Sequence, residues 1–249
     1  MSTEHSALST SQIVSAKGYR ISVRTEGDGD TLLLINGLTR PLGSWVSFTQ
    51  ALRGRRIVSF DAPGVGESPN SHLPLSIAQL ATICVAVLDE LGLDQVDVLG
   101  FSLGGAVAQE LAGRYPARVR RLVLAATSCG IGSTLAGWDL RDSVAIVTNG
   151  LARANALSTL WRVMAFTSWS SIPYLGSITA RTLVVCGSQD RVAPVSNSRA
   201  LANRMPNATL VVLDEGHDLQ APGAAEELAR VVERFFSHDP EPVRECFAL

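Results

Sequence analysis

Val96-Asp97-Val98-Leu99-Gly100-Phe101-Ser102-Leu103-Gly104-Gly105-Ala106-Val107-Ala108-Gln109 constrains this chain more than any other stretch. Val96, Val98 and Leu99 form a short β-branched apolar run, the pattern of a strand covered on both faces. Ala106 to Leu111 reads as a helix. Between them the chain must reverse within about four residues, which strains the residue at the apex. Gly100 and Gly104 leave room for that reversal because neither carries a Cβ. Ser102 then stands at the tip. The first helical amide, that of Leu103, has no intrahelical acceptor and points toward the same place. The expectation is a nucleophilic serine with one oxyanion donor beside it. A phosphate-binding loop fits less well, since neither Gly-Lys-Ser/Thr nor Gly-x-Gly-x-x-Gly is present here.

A serine needs a base to act as a nucleophile. Of the four histidines, His5 and His238 lie in terminal stretches and His72 in a polar loop. His217, in Asp214-Glu215-Gly-His-Asp218, follows the apolar run Thr209–Leu213 and is the candidate base. Catalytic loops of an open α/β sheet cluster at such strand ends. Asp190, just past Leu183-Val-Val-Cys-Gly, is the candidate acid that orients it, with Asp214 and Asp218 as rivals adjacent to the histidine. The order Ser102…Asp190…His217 is that of one known triad arrangement. The second oxyanion donor is expected in the loop after Ile35, at the amide of Leu38, where Gly37 admits close approach. Asn36 and Arg40 belong to the same loop. Arg40 either pairs a substrate carboxylate, or points into water or pairs a surface acid.

The 249 residues alternate strand and helix patterns. They predict an α/β fold: a mainly parallel sheet with helices on both faces. Ile13-Val14 and Tyr19–Arg24 predict an opening hairpin turned at Lys17-Gly18. Ser76 is placed to cap a helix running to Leu91. The segment 128–178 breaks the rhythm and is too long for a βα connection. It reads as a small helical lid, with Trp138 and Trp161 as candidate substrate contacts. The core is expected over 11–127 and 179–237, with flexible tails at 1–10 and 238–249.

Net charge is -2, which gives no reason to expect nucleic acid as a partner. No basic-then-apolar leader and no membrane-length apolar run is evident. The four cysteines fit neither a zinc pattern nor a disulfide framework. These features point to a cytoplasmic protein with free thiols. The expected partner is a small molecule, with no metal or cofactor, and no oligomeric state follows from the sequence.

With these motifs in place, residues 12–237 resemble the α/β-hydrolase family. Asn36-Gly37, Phe60-Asp-Ala-Pro-Gly-Val-Gly66 and Leu122–Ser128 are similar to intracellular polyhydroxyalkanoate depolymerases. Gly100–Val107 and Arg118–Leu124 are similar to 3-oxoadipate enol-lactonases. The family's His-Gly at the oxyanion loop is here Asn36-Gly37, so this loop's side-chain hydrogen bonds must be made differently. The resemblance implies hydrolysis of an ester or lactone of a small to medium apolar substrate through an acyl-enzyme. The alternatives are a biosynthetic relative using the same pocket, such as a cyclase, acyltransferase or C–C hydrolase, or a hydrolase-derived ligand receptor.

Overall fold

A computed structural model describes residues 9–71, 73–133, 139–153, 156–237 and 246–247. The chain opens with an antiparallel hairpin, β1 (Thr10–Ala16) and β2 (Tyr19–Glu26). Lys17 and Gly18, at φ 52° and 82°, both take the left-handed conformation that a two-residue hairpin turn requires. Six further strands follow: β3 (Asp30–Ile35), β4 (Arg55–Phe60), β5 (Val96–Phe101), β6 (Val119–Ala125), β7 (Arg181–Gly187) and β8 (Ala208–Leu213). The sheet order is β1-β2-β4-β3-β5-β6-β7-β8, and β3 through β8 are parallel. Cys246 and Phe247 form a two-residue strand, β9, beside β8. This pairing was not anticipated for the terminal stretch; 238–245 and 248–249 lie outside the described residues.

The central strands carry apolar side chains on both faces over most of their length, because both faces are covered. Leu33, Ile35, Val98, Leu122 and Val184 pack into one core with α2 (Ile77–Glu90) and α3 (Leu103–Arg114). Their neighbours Leu32, Leu34, Leu99, Val123 and Val185 pack into the other, with α7 (Ala224–Ser237) and Phe48 of α1 (Val46–Ala51). Each fully buried Leu or Val of this kind contributes about 1.5–3 kcal/mol relative to exposure. Ser76 begins α2 with a capping box: its side chain accepts from the amide of Gln79, and Gln79 reaches back to the amide of Ser76. No helix among the described residues is long and apolar enough to cross a membrane.

Charge is managed at the end of the sheet where the strands begin. Asp97 is fully buried, with Arg55, Arg120 and Arg121 bonded to it at 2.6–3.0 Å. Burial works to raise the Asp97 pKa, but the bonds from Arg121 and Arg120 outweigh it and hold it below the ordinary value.

Between β6 and β7 the chain carries α4 (Leu140–Arg153) and α5 (Ala156–Thr167). Its return path is anchored on α3, directly behind the turn that carries Ser102. Gln109 donates to the Ser128 carbonyl at 3.0 Å and accepts from Ser171 Oγ at 2.6 Å. Glu110, only 3% exposed, accepts from Trp169 Nε1 at 2.9 Å and also from Tyr174 Oη and Arg114. Burial works to raise the Glu110 pKa, but the bonds from Tyr174, Trp169 and Arg114 outweigh it and leave it lowered. A lowered folded-state pKa means stability that is present above the ordinary glutamate value, about 4.3, and lost as pH falls through the folded value. Glu110→Gln is therefore expected to lower Tm by roughly 4–12 °C at pH 7, for about 2–3 kcal/mol lost with a charged acceptor. Calorimetry should show the gap to wild type narrowing below about pH 4.

Candidate active site

The turn from β5 to α3 places Ser102 at φ 54°, ψ -120°, a conformation costly for any residue with a side chain. Three bonds hold it there. The Ser102 amide donates to the Ala125 carbonyl at 2.9 Å. Its carbonyl accepts from Thr127 Oγ1 at 2.7 Å and from the Gly105 amide at 2.9 Å. The flanking glycines are required sterically. A Cβ on Gly100 would lie 2.4 Å from the Gly104 carbonyl oxygen, and one on Gly104 2.1 Å from that of Ile35. The N-terminus of α3 thus rests on the end of β3, where the oxyanion loop begins.

Ser102 Oγ lies 3.2 Å from His217 Nε2, and His217 Nδ1 lies 2.8 Å from Asp190 Oδ2. A proton on Nδ1, donated to the carboxylate, leaves the Nε2 lone pair facing the serine hydroxyl. Asp190 is only 4% exposed. Its other oxygen accepts from the amides of Val192 and Ala193, both at 2.8 Å, which fixes the carboxylate's plane. The rival acids are committed elsewhere. Asp214 accepts from Ser188 Oγ and Gln189 Nε2, and these bonds hold its pKa below the ordinary value. Asp218 Oδ2 receives Arg40 at 2.6 Å.

The Arg40 guanidinium pairs Asp218, both side chains partly exposed, and Arg40 also lines the cleft that runs beside Gly37 and Leu103. It also lies 5.4 Å from the Phe101 ring centre. Asn36 makes the loop's side-chain bonds in place of histidine. Its Oδ1 accepts from the Gly37 amide at 3.1 Å and from Gln220 Nε2 at 2.9 Å, and its Nδ2 donates to the Pro41 carbonyl at 2.9 Å. A side chain on Gly37 would come within 3.5 Å of Ser102 Cβ, so this loop passes directly beside the serine. The amides of Leu38 and Leu103 have no hydrogen-bond acceptor among the described residues.

Next to these amides lies a narrow cleft lined by Gly37, Arg40, Leu80, Leu103, Val107 and Arg162. Trp161 does not reach it. It lines a second narrow cleft with Pro63, Leu73 and Leu75, across Arg162 from the first. The two clefts share Leu80 and Arg162, the residue that follows Trp161 on α5. Trp138 lies outside the described residues. Sequence reasoning missed Arg162 and Gln220. Both sit in ordinary amphipathic or polar stretches, and only spatial proximity gives them meaning.

Residues 30–145 match the family model described as alpha/beta hydrolase fold. A poly(3-hydroxyalkanoate) depolymerase from Ectopseudomonas oleovorans is 32% identical, with 84% of each chain covered. The chain belongs to the α/β-hydrolase family. A 3-oxoadipate enol-lactonase from Acinetobacter baylyi is 26% identical over 90% of this chain and 97% of its own. Both groups named from short motifs are thus among this hydrolase's relatives. The solved structure of a hydrolase from Pseudomonas aeruginosa superposes with a TM-score of 0.80 at 25% identity, covering 92% of this chain and 98% of its own.

The steric argument at the turn has a direct check. Gly104→Ala forces a Cβ onto the backbone of Ile35 and is expected to cost more than about 4 kcal/mol, lowering Tm by about 10 °C or preventing folding. Gly216→Ala meets nothing within 4 Å and should stay within roughly 0.5 kcal/mol of wild type. Equal melting temperatures for the two variants would remove the packing account of Gly104.

Proposed function

We propose that this α/β-hydrolase is a serine hydrolase of carboxylic esters or lactones with a small to medium apolar acyl part. The observation that carries the proposal is the continuous hydrogen-bonded series Ser102–His217–Asp190, with the Leu38 and Leu103 amides beside the serine. Ser102 Oγ attacks the ester carbonyl carbon while His217 Nε2 takes its proton. The carbonyl oxygen becomes an oxyanion held by the two amides. Collapse of the tetrahedral intermediate breaks the C–O bond to the alcohol, which takes the proton from His217. Water then attacks the acyl-enzyme by the same route, releasing the acid and restoring Ser102. Asp190 keeps the imidazole in the tautomer that can accept a proton and stabilises its cation.

The largely apolar cleft beside Leu103 is assigned to the acyl group, and the segment 128–178, with α4 and α5, is assigned as the lid over it. The names of the depolymerase and lactonase relatives support ester and lactone substrates.

Ser102→Ala is expected to fold and to lose about 10⁴–10⁶ in kcat on p-nitrophenyl butyrate. A fluorophosphonate probe should label the wild type and leave the variant unmarked; persistent labelling would overturn the nucleophile assignment. Asp190→Asn should cost up to about 10⁴ in kcat because it favours the wrong tautomer. Asp214→Asn and Asp218→Asn should retain most activity. If either of these variants is the inactive one, the acid has been misassigned.

A further inference from the structure

Arg162 is a buried cation in the proposed lid. It projects from α5, is only 6% exposed, and lines the cleft shared by Gly37 and Leu103. Nη1 donates to the Leu38 carbonyl, and Nη2 to the Pro63 carbonyl at 2.6 Å. No carboxylate among the described residues lies within ion-pairing distance of it. Burial pushes its pKa down to about 10, so it remains charged at neutral pH. The Asp61 carboxylate acts on it from a distance and favours the charged form, but its hydrogen bonds go only to neutral carbonyls, so its burial is costly and a packed apolar residue serves stability at least as well. What the arginine holds therefore matters.

Three consecutive peptide units make up the oxyanion loop. The Asn36–Gly37 peptide is tethered on the core side, where its N–H donates to Asn36 Oδ1, and Gln220 holds that side chain. The Leu38–Thr39 peptide is tethered on the lid side, where its carbonyl accepts from Arg162. Between them is the Gly37–Leu38 peptide, which carries the Leu38 N–H and has no bond of its own from that amide among the described residues. Its orientation depends on the two anchors that flank it.

We propose that Arg162 is a positioning residue for the oxyanion hole: by gripping the Leu38 carbonyl from α5, it turns the Leu38 amide toward the carbonyl oxygen of the substrate at Ser102. The second grip, on Pro63, seats α5 against the loop after β4. The hole is therefore complete only when α5 is in place, and lid and oxyanion loop work as one unit. The inference rests on the serine-hydrolase reading above. A misplaced donor is felt in the transition state, where negative charge develops, and little in substrate binding. The effect belongs in kcat and not in KM.

The test compares wild type with Arg162→Met, Arg162→Gln and Arg162→Lys on p-nitrophenyl butyrate and on the mono-p-nitrophenyl ester of glutaric acid. Rates are expressed per site titrated to completion with a fluorophosphonate, and melting curves record folding. Arg162→Met is expected to lose about 30–300-fold in kcat on both substrates, within the range seen on removing an oxyanion donor, with KM within about threefold. Arg162→Gln, whose amide can still donate to a carbonyl, should recover at least about tenfold of that loss. If Arg162→Met does not fold, Arg162→Lys carries the test: an intermediate kcat at unchanged KM supports the proposal, and wild-type kcat overturns it. Arg162→Met with kcat within twofold of wild type and only a lowered Tm overturns it as well. So does a KM increase confined to the glutarate ester, which would make Arg162 a reader of substrate carboxylate. A wild type that neither labels nor turns over refutes the hydrolase reading itself, whereas an active, labelled wild type matched by Arg162→Met refutes this inference alone.

Discussion

The contact between the start of α3 and the end of β3 sets the geometry of the whole site. Where a Cβ on Gly104 would sit, the Ile35 carbonyl is already 2.1 Å away. This approach brings the strained Ser102 peptide beside the loop that continues from Ile35 through Asn36, Gly37 and Leu38. Ser102 and the loop after Ile35 are thus placed by backbone packing in the interior of the sheet, where interiors are dense and yield little. The strain at Ser102 persists because the Ala125 carbonyl, Thr127 hydroxyl and Gly105 amide all bond to the same residue.

Around that fixed point the loops are tied to one another. Gln220, three residues past the base, holds Asn36, and Arg40 holds Asp218. The acid loop and the base loop are stitched by the Ser188 amide to the Leu213 carbonyl and by the Gln189 amide to the Glu215 carbonyl. Asp61, almost fully buried at the end of β4, accepts from the amides of Leu42 and Glu67 and so joins the loops after β3 and β4. Burial raises its pKa despite those bonds, the cost of placing a carboxylate where it can organise two loops at once. The paired Asp97 at the opposite end of the sheet has a lowered pKa, because the bonds and charges of Arg121 and Arg120 outweigh its burial. The exposed Arg40–Asp218 pair adds little stability by itself. Its consequence is geometric, since it occupies both a candidate acid and a candidate anion reader.

Much of this was legible in the residues. Strands β3 to β8 declare themselves by short, largely apolar stretches, most of them covered on two faces. Ser102 is marked by its glycines, and Asp190 and His217 by following buried strands. The hairpin shows in Lys17-Gly18, and Ser76 announces α2. What was not legible shares a physical cause. Arg162 looks like one polar position on an amphipathic helix, and Gln220 like one polar loop residue. Trp161 lines the neighbouring cleft, and helical rotation turns the residue after it, Arg162, toward both clefts.

The sequence by itself determined the fold class, the strand order along the chain and the placing of Ser102 at the tip of the β5–α3 turn, since these follow from local periodicity and from where a Cβ can fit. Only the tertiary structure decided which of three acids faces His217, what Arg40 pairs with, and how the oxyanion loop is held. Those outcomes depend on contacts between residues as far apart as Asn36 and Gln220, or Leu38 and Arg162. Such pairs carry no shared pattern along the chain; they are selected when the sheet closes and each polar group must find a partner within a few ångströms.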